Sequence, residues 1–152
     1  GPALKTANGP LIHPHSGRLF IADSAAQSIY SFDISSGQAQ DQQLFVSTQP
    51  QQSAPDGCCW DRDGGLWTAM VRTGQLARYD AQGALSQLIS LPVAHPSALC
   101  FGGPDLADLY VTSISDSGRL RASGPLDGAI LRITGLGYRG LAKPQARILI
   151  QD

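Results

Sequence analysis

Apolar residues fall along the chain in short bursts broken by polar, glycine-rich punctuation, and the bursts recur in sets. In the first set Asn8-Gly9-Pro10 leads into Leu11-Ile12, and a turn at His15-Ser16-Gly17 precedes Leu19-Phe20-Ile21-Ala22-Asp23-Ser24. Ser28-Ile29-Tyr30-Ser31-Phe32-Asp33 then alternates as a strand should, and Gln43-Leu44-Phe45-Val46 closes the set. The second set opens with Asp56-Gly57 and Cys58-Cys59-Trp60, and turns at Asp61-Arg62-Asp63-Gly64-Gly65. It continues with strands expected at 66–71, 75–80 and 85–90. The third opens with Ser97-Ala98-Leu99-Cys100-Phe101, turns at Gly102-Gly103-Pro104-Asp105 and runs through Leu109-Tyr110-Val111-Thr112-Ser113. After a longer loop it resumes at 129–133 and ends at 147–150.

Asn8, Asp56 and Ser97 hold the same place in the three sets, 48 and then 41 residues apart. That period, with four short strands per unit, is the pattern of propeller blades. The expected fold is therefore all-β. It is a β-propeller of three four-stranded blades at about 8–50, 55–92 and 96–150, within one unit spanning 1–152. The first strand of each blade should lie nearest the central axis, buried on both faces, and be the shortest and most apolar of the four. The second should pack against neighbouring blades through its aromatic and β-branched residues. Three blades do not close a ring, because propellers take about 4–8. Two completions are open: an N-terminal half preceding residue 1, or a second copy of the chain meeting this one about a two-fold axis as a homodimer of six blades.

Composition sharpens the class. The chain is 42% hydrophobic, only 15% charged, and carries 17 Gly and 10 Pro in 152 residues, which suits many short strands joined by tight turns. Its net charge of −1, with no basic run, argues against nucleic acid as a partner. The longest apolar runs, such as Ala98-Leu99-Cys100-Phe101, are far too short to span a bilayer, so no membrane association is expected. The opening Gly1-Pro2-Ala3-Leu4-Lys5 lacks the charged-then-apolar design of a secretory leader. Cys58, Cys59 and Cys100 form no even, spaced framework, so they are expected to be reduced, mostly buried small apolar residues of a cytoplasmic protein.

Several strings resemble the sugar lactonase family, which includes gluconolactonase, SMP-30 (regucalcin) and luciferin-regenerating enzyme. They are Ala7-Asn8-Gly9-Pro10, Pro55-Asp56-Gly57 with Gly65-Leu66-Trp67, and Phe101-Gly102-Gly103-Pro104-Asp105-Leu106 running into Leu109-Tyr110-Val111-Thr112-Ser113. Pro125-Leu126-Asp127-Gly128-Ala129 and Gly137-Tyr138-Arg139-Gly140-Leu141 follow in matching order. The resemblance covers essentially the whole chain and about the second half of a family member. It implies a six-bladed propeller with a divalent metal ion, calcium or zinc, in the central channel, held by a Glu from the N-terminal region, an Asn and an Asp. Asn8 stands at the family's Asn and Asp56 at its Asp, while the Glu and the substrate-contacting polar residues would precede residue 1. Asp56 is also implied as the general base.

The carry-over is chemically sound. Asn8 offers a neutral carbonyl oxygen and Asp56 a carboxylate, both suited to a hard cation. Each is expected just before an innermost strand, at the channel mouth. Asn8-Gly9 and Asp56-Gly57 are equally at home in turns that need positive φ, and that reading stands beside the ligand one. Ser97 is a poor ligand, so a ring of ligands from this chain alone would be incomplete. Asp61-Arg62-Asp63-Gly64 lacks the later oxygen ligands and closing Glu of a calcium loop and reads as a hairpin turn. His13, His15 and His95 read as solvated loop histidines, and Arg119 and Arg121 as members of a solvated loop. Asp23 could face the channel or cap a turn. The expectation is a metal-dependent lactone hydrolase acting on a small-molecule cyclic ester, calcium being the favoured metal. The alternative is a non-catalytic propeller fragment acting as a binding or assembly module.

Overall fold

The computed structural model describes residues 3–142, and its regular structure is almost entirely antiparallel β. Strands β1 (Ala7–Ile12), β2 (Leu19–Asp23), β3 (Ser28–Asp33) and β4 (Gln40–Ser47) pair in chain order to make the first sheet. A single 3-10 turn, Gln49–Gln51, leads to the second sheet, β5 (Pro55–Trp60), β6 (Leu66–Met70), β7 (Gln75–Tyr79) and β8 (Leu85–Ser90). The third sheet holds β9 (Pro96–Gly102), β10 (Asp108–Ser113) and β11 (Ile130–Ile133), three strands among the described residues where four were expected. The missing one, placed by the sequence at 147–150, lies outside the described residues. No helix among the described residues is long and apolar enough to cross a membrane.

Two apolar interfaces between successive sheets form the core. Phe20, Ala22 and Ile29 of the first sheet pack against Trp60 and Leu66 of the second. Trp67, Ala69 and Leu76 of the second pack against Leu99, Leu109 and Val111 of the third. Side chains alternate across a strand, so β6 serves both interfaces, with Leu66 turned to the first sheet and Trp67 and Ala69 to the third. All five of its residues are buried.

This corrects the expectation for the first strands. β5 meets both β1 and β9, but the three strands are six or seven residues long, no shorter than the second strands, and mostly half-buried or exposed. They are the edge strands of their sheets, and each lies against the inner strand of an adjoining sheet. Burial on both faces belongs to the second strand of the middle sheet.

The hairpin at Asp61 is a turn as expected, closed by the Asp61 N–H on the Gly65 carbonyl (2.9 Å), with Gly64 at φ +80°. Asp61 does more than turn the chain. Its fully buried carboxylate accepts from the backbone N–H of Asp63 and Gly65, from Trp67 Nε1 (2.8 Å) and from Arg78 Nε (2.6 Å). The Arg78 guanidinium lies 4.3 Å over the Tyr138 ring, which also packs edge-on against Trp67. Around it, Arg62 N–H bonds the Arg139 carbonyl and Gly140 N–H the Leu106 carbonyl. The segment after β11 is thereby latched across the second and third sheets. Removing one partner of a buried, hydrogen-bonded pair strands the other charge, so Asp61→Ala should lower stability by about 3–5 kcal/mol. Denaturant unfolding monitored by Trp fluorescence checks this.

Candidate functional site

The three inner strands share a local irregularity. Register breaks between Asn8 and Leu11 in β1 and between Pro55 and Cys58 in β5, and opposite Pro96–Ala98 in β9. Bulges of this kind re-aim side chains and occur beside functional sites. They carry Asn8, Asp56 and Ser97, which lie inside the strands and not just before them. Neither Asn8-Gly9 nor Asp56-Gly57 is a hairpin turn. Gly9 has φ +53°, but a Cβ there would also sit 2.6 Å from the Asp56 carbonyl oxygen. Gly57 keeps an ordinary φ, and a Cβ there would sit 2.6 Å from Ala98 Cα and 2.9 Å from the Ser97 carbonyl. The glycines are needed because backbone meets backbone from one blade to the next, at the level of the candidate donors.

The electrostatics around these donors differ from residue to residue. Asn8 is half-buried and donates through Nδ2 to Ser24 Oγ (2.8 Å). Ser24 in turn donates to the Pro55 carbonyl (2.7 Å). Asp56 is half-buried, and burial pushes its carboxyl up from the ordinary carboxylate range, with no hydrogen bond or opposing charge among the described residues to offset it. A desolvated carboxylate and, on the adjoining strand, an amide held through its nitrogen are oxygen-bearing groups that fit a hard divalent ion. Ser97 is engaged elsewhere, its hydroxyl 2.9 Å from Thr112 Oγ1. Among the described residues no three His, Cys, Asp or Glu side chains gather into a metal site.

The remaining candidates sort as follows. Asp23 is a cap, accepting from the backbone N–H of Lys5, Thr6 and Ala26. Burial works to raise its carboxyl, but those N–H groups outweigh it and hold the group below its ordinary value of 3.8. His15 is exposed, but the other two histidines are not the solvated loop residues expected. His13 packs edge-on against Trp60 at 4.8 Å, and His95 Nδ1 donates to the Val71 carbonyl at 2.8 Å, joining the second and third sheets. Arg119 and Arg121 are exposed, and Arg121 pairs with Asp116 at the surface. Cys58 and Cys59 are half-buried, and Cys100 is exposed, against expectation. Cys58 turns its Sγ toward Thr68 Oγ1, and burial pushes its thiol up to about 12, which makes it a poor nucleophile. At the far ends of the inner strands, Ile12, His13, Trp60, Cys100 and Phe101 line a largely apolar cavity of about 690 Å3.

Residues 2–115 match the SMP-30/Gluconolactonase/LRE-like region. Regucalcin from Xenopus laevis is 33% identical over 129 residues, 82% of this chain and 43% of that protein. Human regucalcin is 34% identical over 130 residues, 81% of this chain and 43% of that protein. Luciferin-regenerating enzyme superposes with a TM-score of 0.78 at 25% identity, covering 95% of this chain and 50% of its own. The calcium-binding protein regucalcin from Agrobacterium tumefaciens shares the fold with a TM-score of 0.80 at 22% identity, again over 95% and 50%. These neighbours are β-propellers, and the three sheets correspond to successive blades of an open arc. The chain belongs to the SMP-30/gluconolactonase/LRE-like family and spans less than half the length of the regucalcins it matches.

Two outcomes follow from this geometry. Gly57→Ala must push β5 away from β9, and overpacking of that kind costs about 1–3 kcal/mol, readable in thermal unfolding. Asp23 has a lowered folded pKa, so its contribution to stability is present above about pH 4 and lost as pH falls through the folded value. The stability difference between wild type and Asp23→Asn, followed by urea unfolding, should therefore shrink below that pH.

Proposed function

We propose that this member of the family contributes about half of a six-bladed propeller, and half of the site, of a divalent-metal-dependent lactone hydrolase. The observation that carries the reading is the placement of Asn8 and Asp56 on adjoining inner strands, with the Asp56 carboxylate desolvated and unpaired among the described residues. Calcium is the favoured ion, since one structural neighbour is a calcium-binding regucalcin. Asn8 would hold it through the amide oxygen and Asp56 through the carboxylate. A bound divalent ion supplies Lewis-acid polarisation of a lactone carbonyl. Asp56 would take a proton from water as the water oxygen bonds the carbonyl carbon, and would return it to the ring oxygen as the ring C–O bond breaks, leaving the hydroxy acid. The other donors and blades come from chain preceding residue 1 or from a second copy.

Hydrolysis of a simple sugar lactone should require calcium and stop on chelation. Asp56→Ala should abolish calcium binding while leaving the β circular dichroism intact, and tight binding in that variant would sink the ligand assignment. A completed ring that hydrolyses no lactone with or without calcium would favour a binding or assembly module instead.

A further inference from the structure

Ser24 follows β2 directly, and its backbone N–H donates to the Thr6 carbonyl at 3.0 Å. The same bond recurs in the other two blades, from Val71 to Ala54 (3.1 Å) and from Ile114 to His95 (2.9 Å). Ser24, Val71 and Ile114 thus occupy one structural position. Two of the three are apolar, so the blade itself does not require a hydroxyl there. Only in the first blade does the side chain carry one, and there it meets Asn8.

The hydrogen-bond chemistry of that hydroxyl leaves one arrangement. Ser24 has a single proton, and the Pro55 carbonyl at 2.7 Å can only accept it. Ser24 Oγ must then meet Asn8 as an acceptor, and the Asn8 group 2.8 Å away is the amide Nδ2. With its nitrogen held, the amide keeps its oxygen on the other side, available to a cation. The Pro55 carbonyl also belongs to the peptide that leads into Asp56. One side chain therefore ties the donor of the first blade to the backbone that carries the donor of the second. Its neighbour Asp23 fixes the segment before β1 from the same turn.

The geometry points to Ser24 as a positioning residue, which orients the Asn8 amide oxygen and sets its place relative to Asp56. This rests on the reading of Asn8 and Asp56 as divalent-cation ligands. Without the hydroxyl, the terminal amide has two rotational wells of similar energy, one of which presents N–H to the cation. Loss of an outer partner of a metal ligand weakens binding by about 10- to 100-fold.

The test compares wild type with Ser24→Ala, Ser24→Thr and Ser24→Val in the assembled protein. Calcium affinity is read by calorimetry, melting temperature without calcium, and exchange of the Asn8 side-chain amide protons by NMR. Thr and Val have nearly the same shape and differ in the hydroxyl, so their comparison holds even if Ala disturbs the turn. The expected result is calcium affinity weakened about 10- to 100-fold in the Ala and Val variants and restored by Thr. Asn8 amide exchange should be slow in wild type and Thr, and fast in Ala and Val. Equal calcium affinity in Thr and Val at matched melting temperatures would overturn the assignment. If wild type itself binds no calcium, the ligand reading fails, and the positioning claim is judged on the amide protons alone. Equal exchange in wild type and the Val variant would then refute it.

Discussion

The inner strands of this fold touch backbone to backbone, and much else is arranged around that contact. Gly9 against Asp56, and Gly57 against Ser97 and Ala98, leave no room for a Cβ on the glycine side. The contact brings the three sheets together at their inner edges and leaves their faces to meet in two apolar interfaces. It also sets Gly9, the residue after Asn8, against the backbone of Asp56, 48 residues beyond Asn8 in sequence. Register breaks recur in all three inner strands, beside the close approaches at Gly9 and Gly57.

Two buried or half-buried aspartates five residues apart illustrate how environment separates structural from chemical roles. Asp61 sits inside the second blade's hairpin with every need met by backbone N–H, the Trp67 indole and Arg78, so its charge fastens the strands and the following segment. Asp56, at the start of the preceding strand, is desolvated without such partners among the described residues. Burying an unpaired charge is costly, and a protein that tolerates it gains when a cation arrives. The contrast is sharper than either observation alone, because the same blade shows both arrangements.

The blades were legible because short strands with a repeating order leave a strong pattern. Leu66 to Met70 and Leu109 to Ser113 appear where apolar and β-branched residues cluster between turn formers. The depth of the inner strands was misjudged, since an apolar run such as Cys58-Cys59-Trp60 reads the same whether it is enclosed or borders a channel. Asn8 and Asp56 are marked by position within the repeat and by family resemblance, not by any local signal, and Ser24 reads as the tail of a strand. Comparing Ser24 with Val71 and Ile114 across the repeat would have exposed it as the polar exception. Asp61, Arg78 and Tyr138 could not be joined from sequence, because their contact depends on how a late segment folds back over the second blade. The packing of His13 on Trp60 and of His95 on Val71 was hidden for the same reason: histidine beside proline looks like loop in any sequence.

The central claim is that the bulged inner strands present Asn8 and Asp56 to one divalent ion. Diffraction from crystals of the assembled protein soaked in calcium tests it most directly. The account predicts density for one ion at about 2.3–2.6 Å from both Asn8 Oδ1 and the Asp56 carboxylate. An ion bound elsewhere, or these two side chains left without one at saturating calcium, would contradict it.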